Sequence, residues 1–302
     1  MAKITDRTNA VVRQWPLVIA ESLGLRPSDP VLRPQAPFPD PDVWQRSAFA
    51  SCWLGHATVM LRLGGLNIIT DPHFEERAGP PMGRLRIGRR RATALPATID
   101  DLPPIDLILL SHAHFDHWDR STLERLAAHS GTRAHVVIPR RTRRLLPKGF
   151  KSVVEMSWDT RADVPGARLE AIRPAHWGAR WLWDRHRGFN AYVIEAAGRR
   201  VLFGGDTADT DAFDRLGRTG GVDIAILGIG NSDVWDTSHA SPEQAAEMAR
   251  RMGARRFMPI HHSTFCDPCE RNDEALQRAV RAWGHERLLC PGVGSSWFDD
   301  AA

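Results

Sequence analysis

The chain has 302 residues, 42% of them hydrophobic and 25% charged, with a formal net charge of +4. That is enough apolar material for a sizeable core, which excludes a disordered or fibrous chain. No run approaches the ~20 apolar residues of a membrane span, "MAKITDRTNAVVRQW" lacks the apolar centre of a signal peptide, and four cysteines are too few for a disulfide framework, so a cytoplasmic protein is expected.

Residues 1–46 are rich in proline and charge, and "RPSDPVLRPQAPFPDPD" cannot hold helix or sheet for long. A short helix and then an extended arm lying over a single domain of residues 47–302 are expected. "AVVRQWPLVIAESLGL" is broken by Pro16, which argues against strong binding to a lipid surface. "SCWLGHATVMLRLGG" alternates, and with "LNIITDP" it reads as a β-hairpin. "IDLILLSH" is a buried strand, "DRSTLERLAAHSG" a helix stopped by Gly131, and "AHVVIP" a strand. "ARLEAIRPAH", "FNAYVIEAAGRRVLFGGD" and "VDIAILGIGN" are strand material. The helix "SPEQAAEMARRMG" opens on a capping box of Ser241 and Gln244, then come the strand "RRFMPIHH" and the helix "NDEALQRAVRAWG". Strands early and late with helices between them predict a layered α/β protein.

Polar residues fall where these strands end. His112, His176, Asp206, Asn231 and His261 each stand at or just past the C-terminal end of an apolar run. Rigid strands opening into loops are where ligand and catalytic groups collect. In "HAHFDH", His112 and His114 project to one side of an extended segment, with Asp116 and His117 at the turn that follows. Imidazoles with carboxylates suit borderline-soft divalent metals, zinc above all. Together with His176, Asp206 and His261 they make seven candidate ligands, too many for one tetrahedral ion and suited to two, with Asp206 able to bridge.

"SHAHFDHWD" resembles the signature of the metallo-β-lactamase superfamily, whose fold is a four-layer αββα sandwich of two mixed β-sheets flanked by helices. "WLGHATVML", "ITDPHF", "PAHWGARWLWDRHRGFNAYVIE", "LFGGDT" and "MPIHHSTF" are similar, in the same order, to the branch containing N-acylphosphatidylethanolamine-hydrolysing phospholipase D and its bacterial relatives. The resemblance runs from about Trp53 to Phe265. It implies His112, His114 and His176 on one zinc, Asp116, His117 and His261 on the other, and Asp206 bridging. It makes His261 rather than His262 the ligand, since the phospholipase carries tryptophan where His262 stands. His239 falls near the place of the substrate phosphate, and Asp71 matches an aspartate that orients a ligand imidazole. Asp116, Asp206 and His239 are accordingly the expected catalytic residues, with His56, Asp71 and His262 supporting them. Flavodiiron relatives carry glutamate where His114 stands, which disfavours oxygen reduction; Mn2+ or Fe2+ in place of Zn2+ stays compatible with a hydrolase.

Two divalent ions about 3.5–4 Å apart activate water, lowering its pKa from ~15.7 to ~7, and clamp the oxygens of an in-line displacement. A metal-dependent phosphodiesterase is therefore expected, with a small anionic or phospholipid substrate and peripheral contact at the inner membrane surface. "WGARWLWDRHRG" offers Trp177, Trp181 and Trp183 beside Arg180, Arg185 and Arg187 as a lid over the metals, its arginines to hold an anionic group of the substrate and its tryptophans something apolar. A sugar-phosphate lactonase of the same fold is the alternative. A nuclease gripping backbone with Arg84–Arg91 and Arg140–Arg144 ranks third, and a non-enzymatic binding module last. Cys266 and Cys269, lacking a second pair at zinc-ribbon spacing, read as incidental thiols.

Overall fold

The structure, a computed structural model, describes residues 16–26, 30–83, 85–130, 133–181, 183–230, 238–265 and 273–299. Gly131, Asn231, Cys266 and Cys269 lie outside these residues.

A helix over 16–22 (α1) precedes an extended segment that leads to α2 (Pro41–Arg46). The extended segment is pinned at intervals: Leu32 N donates to Ala92 O, Gln35 N to Val293 O and Phe38 N to Pro96 O. Trp44 of α2 is wholly buried. Three strands follow, β1 (Phe49–Gly55), β2 (Thr58–Leu63) and β3 (Leu66–Thr70). The stretch expected as one hairpin arm is thus itself folded at Gly55-His56-Ala57, because the left-handed φ of 115° at Gly55 and 54° at His56 reverses the chain there. Two small ribbons come next: β4 (Arg77–Ala78) pairs with β7 (Arg89–Arg90), and β5 (Pro81–Met82) with β6 (Leu85–Arg86).

The remaining strands are β8 (Leu107–Leu109), β9 (His135–Pro139), β10 (Ser152–Met156), β11 (Arg161–Val164), β12 (Ala167–Ile172), β13 (Ala191–Ala196), β14 (Arg199–Phe203), β15 (Val222–Gly228), β16 (Ala254–Ile260) and β17 (Ser296–Asp299). They form two mixed sheets, one ordered β10-β9-β8-β3-β2-β1-β17 and the other β11-β12-β13-β14-β15-β16. Alternation sorts the side chains. Val59, Leu61, Val137, Ile194, Val201 and Phe203 share the core between the sheets. Their neighbours Met60, Val136 and Ile138 face outward beneath α3 (Arg120–Ser130), packing with Leu123 and Leu126. Val193, Leu202, Ala225 and Phe257 face outward beneath α4 (Asp214–Gly217), α5 (Pro242–Arg251) and α6 (Glu274–Trp283). Both faces of each sheet are therefore dry, and each fully buried Val, Leu or Phe contributes roughly 1.5–3 kcal/mol. This is the expected αββα sandwich.

The capping box forms as expected: Ser241 Oγ accepts from Gln244 N and Gln244 Oε1 from Ser241 N. Among the described residues no helix is long and apolar enough to cross a membrane.

Candidate metal centre

In the first sheet β1, β3 and β8 run in one direction, and in the second β12, β14, β15 and β16 do. Their C-terminal ends deliver His56, Asp71, His112, His176, Asp206 and His261 to one edge of the sandwich. Three of these residues pay for their position in backbone strain: φ is 54° at His56, 33° at Asp71 and 62° at His261. Such left-handed non-glycine residues cost on the order of 1–3 kcal/mol each and cluster at functional sites. Gly205 takes φ 57°, and a Cβ there would lie 2.7 Å from Ser111 Cβ, so only glycine lets the Asp206 loop pass.

The structure brings all seven expected ligands together in two adjoining groups. In one, His112, His114, His176 and Asp206 each present an atom within 4.8 Å of the others; in the second, Asp116, His117 and His261 do so together with His56. Asp206 touches both. Its Oδ2 lies 3.6 Å from His112 Nε2, 3.7 Å from His176 Nε2 and 3.1 Å from His117 Nε2, while Oδ1 lies 3.4 Å from His261 Nε2.

Hydrogen bonds outside the cluster decide which nitrogens face inward. Asp71 Oδ2 accepts from His117 Nδ1 at 2.7 Å and from Ser111 Oγ at 2.5 Å, and Oδ1 accepts from Ser111 N at 2.6 Å. With its hydroxyl hydrogen given to Asp71, Ser111 Oγ can only accept from His112 Nδ1, 2.9 Å away. His176 Nδ1 donates to the Ser238 carbonyl at 3.0 Å. Three imidazoles are thereby held with Nδ1 protonated and Nε2 directed at the centre. His114 turns the other way, its Nδ1 lying 2.8 Å from His112 Nε2 and 3.4 Å from His176 Nε2. His117 Nε2, His261 Nε2 and Asp206 Oδ1 are buried without a hydrogen bond. Buried polar atoms of native proteins are normally satisfied. Unsatisfied nitrogens and a carboxylate oxygen converging on one centre fit a divalent cation.

The electrostatics agree. Burial, reinforced by His117, His114 and His176, holds His112 well below the usual imidazole range. Burial also lowers His176, and it lowers His114 to about 4. Burial would lower His117 and His261 too, but Asp206 and Asp116 outweigh it, raising His117 and pushing His261 up to about 9. Asp116 and Asp206 sit well below the carboxylate range: burial opposes this, and the facing imidazoles overcome it. The carboxylates thus demand positive charge, which without metal only protons on His117 and His261 supply.

His239 borders the cluster, Nδ1 3.9 Å from Asp206 Oδ2, with burial lowering it to about 4. His56 Nε2 lies 2.9 Å from Asp116 Oδ2. His262 is buried with its ring 4.4 Å from that of Trp53, and burial lowers it to about 3. Trp177 forms a wall, its ring edge-on to His114 at 4.8 Å.

The loop after His176 differs from expectation. Arg180, expected to hold substrate, is committed to the metal loop: Nε donates to Ala113 O at 2.8 Å, Nη2 to Trp118 O at 2.5 Å, and its guanidinium lies 4.3 Å above Phe115. Both carbonyls flank the turn that carries His114, Asp116 and His117, so these bonds tie Arg180 to that turn. Arg187 pairs with Asp184, whereas Arg185 is exposed. Of the Arg84–Arg91 run, Arg84 lies outside the described residues, and three of the others are held within the fold. Arg86 pairs with Asp119, Arg90 with Glu76, and Arg91 is buried on the His73 carbonyl. Sequence reasoning missed Ser111; a lone hydroxyl between a buried strand and HxH was the available signal.

A model of the beta-lactamase superfamily domain matches residues 66–262. The chain belongs to the metallo-β-lactamase superfamily. Among curated members it is similar to N-acyl-phosphatidylethanolamine-hydrolyzing phospholipase D 1 of Caenorhabditis elegans, 29% identical over 240 residues, 74% of this chain and 66% of the worm protein. It is also similar to a UPF0173 metal-dependent hydrolase of Thermus thermophilus, 29% identical over 242 residues, 80% of this chain and 95% of that one. Igni18, a metallo hydrolase of the archaeon Ignicoccus hospitalis, superposes with a TM-score of 0.59 at 19% identity over 83% of this chain and 99% of its own. That likeness establishes the shared metallo-β-lactamase fold.

Proposed function

We propose that this protein is a metal-dependent hydrolase with two divalent ions, zinc foremost, and that it cleaves a phosphodiester, with an N-acylphosphatidylethanolamine-type phospholipid as the favoured substrate. The observation carrying the reading is the Asp206 carboxylate lying between two nitrogen-rich groups, within 3.7 Å of four imidazoles. The names of the worm phospholipase and the Thermus hydrolase support the same class.

His112, His114 and His176 would hold one ion, Asp116, His117 and His261 the other, and Asp206 both. Bound there, the pair supplies Lewis acidity and a water of lowered pKa. The protein does the positioning. Asp71 and Ser111 lock the imidazoles of His112 and His117, one from each group, through a single buried carboxylate. Asp116, with a side chain 30% exposed, is the cluster's most open carboxylate and faces arriving substrate. His239, beside Asp206, can donate to an anionic oxygen of the substrate. Trp177 walls the site. Trp181 and Trp183 stack at 5.5 Å beside Phe115 and stay exposed, offering apolar surface to an acyl chain or bilayer.

Metal analysis joined to a hydrolysis panel tests this reading. A bis-aryl phosphodiester, an N-acyl phospholipid, a sugar-phosphate lactone and a short RNA would be compared. About two ions per chain and turnover of the first two substrates are expected. Turnover of the lactone alone would replace the substrate assignment, and no stoichiometric metal would end the reading.

A further inference from the structure

We propose that His56 is a positioning residue for one half of the dinuclear site: it holds Asp116 through its ring and His261 through its main chain. This rests on the dinuclear reading above.

Proximity alone would make His56 a fourth ligand, since its ring nitrogen falls within 4.8 Å of the ligand atoms of Asp116, His117 and His261. The proton decides otherwise. His56 Nε2 lies 2.9 Å from Asp116 Oδ2, and a carboxylate only accepts, so that nitrogen carries hydrogen and has no lone pair to offer. Asp116 is also the ligand most open to solvent, its side chain being 30% exposed against 2% for Asp206 and 0% for His117. It has the most freedom to swing away, and His56 removes it.

The main chain adds the second hold. His56 O accepts from His261 N at 2.9 Å, and His56 N donates to Thr264 Oγ1 at 2.8 Å. The two rings lie 4.0 Å apart. The turn between β1 and β2 is thus fastened to the loop that follows β16. Trp53 Nε1 anchors the same carbonyl at 2.9 Å. Among the described residues no hydrogen bond joins His56 to His112, His114 or His176, so its influence falls on one half of the site. Its φ of 54° belongs to the region that histidine and asparagine tolerate best among non-glycine residues.

The last point supplies the controls. His56→Asn keeps the backbone preference but cannot reach Asp116. His56→Gln places an amide N–H close to where imidazole Nε2 stands. Zinc affinities of both ions, measured by competition with a chromogenic chelator, would be compared with wild type. His56→Asn should keep one ion at wild-type affinity and weaken the other by about 10–100-fold. His56→Gln should restore the weakened ion to within about threefold of wild type, on the same scale. The proposal is overturned if His56→Asn binds both ions like wild type, if it loses both together, or if His56→Gln is as weak as His56→Asn. Should His56→Asn fail to fold by circular dichroism, His56→Gln decides: both ions bound supports the role, a 10–100-fold loss refutes it. Wild type that binds fewer than two ions would end the dinuclear reading itself, and shows before any variant is compared.

Discussion

Asp71 Oδ2 accepts the Nδ1–H of His117 at 2.7 Å, with both side chains wholly buried. Burial pushes Asp71 upward from the usual carboxylate range, while His117 and Ser111 draw it down. The same oxygen receives Ser111 Oγ, so one carboxylate sets the orientation of an imidazole in each half of the site.

Replacing Asp71 with Asn should therefore damage both halves. The amide can donate to His117 Nδ1, driving the proton to Nε2 and removing the inward lone pair. Zinc affinity should fall by about 10–100-fold for each ion. Competition with a chelator measures this, and two affinities equal to wild type would deny Asp71 the role.

Asp206→Ala removes the carboxylate that lies against both groups. Turnover of every substrate should drop by more than about 100-fold, and metal content should fall below two ions per chain. Near-normal hydrolysis by this variant would contradict a shared ligand.

Metal uptake should release protons. In the metal-free chain His117 is held above its ordinary range and His261 is pushed up to about 9, so both carry protons at pH 7. Metal requires both neutral, so roughly two protons leave per chain and apparent affinity rises with pH through the range in which the two imidazoles lose them. Calorimetry in buffers of different ionisation enthalpy counts them; no proton release at pH 7 would contradict the charge distribution described.

Arg180 and Arg185 should separate cleanly. Arg180→Ala leaves the carbonyls of Ala113 and Trp118 without their donors, so stability should fall by about 2 kcal/mol or more and turnover should suffer whatever the substrate's charge. Arg185→Ala, at an exposed position, should leave stability unchanged and raise KM for anionic substrates alone. Thermal melts and KM values with charged and neutral substrates distinguish the two; equal KM effects for Arg185→Ala would remove it from substrate binding.

Much of this arrangement was legible in the sequence because its strongest parts are local. HxHxDH follows a buried strand directly, and His176, Asp206 and His261 each close an apolar run. Orientation was not legible. Ser111 and His56 act through hydrogen bonds to Asp71 and Asp116, and the sequence pattern does not show partners so far along the chain. Arg180 was misread for the same reason: an arginine among tryptophans looks like an anion clamp until the carbonyls it faces are known. The strands β10, β11 and β17 escaped because they are short and partly exposed, so their alternation is diluted by polar residues. The ribbons of residues 77–90 escaped because paired strands of two residues carry no period at all.

The central claim is that seven side chains enclose two ions with Asp206 between them. A crystal of the zinc-loaded protein, with data collected on both sides of the zinc absorption edge, tests it most directly. Two anomalous peaks about 3.5–4 Å apart, one beside His112, His114 and His176 and the other beside Asp116, His117 and His261, are expected. A single peak, or peaks away from Asp206, would contradict the claim.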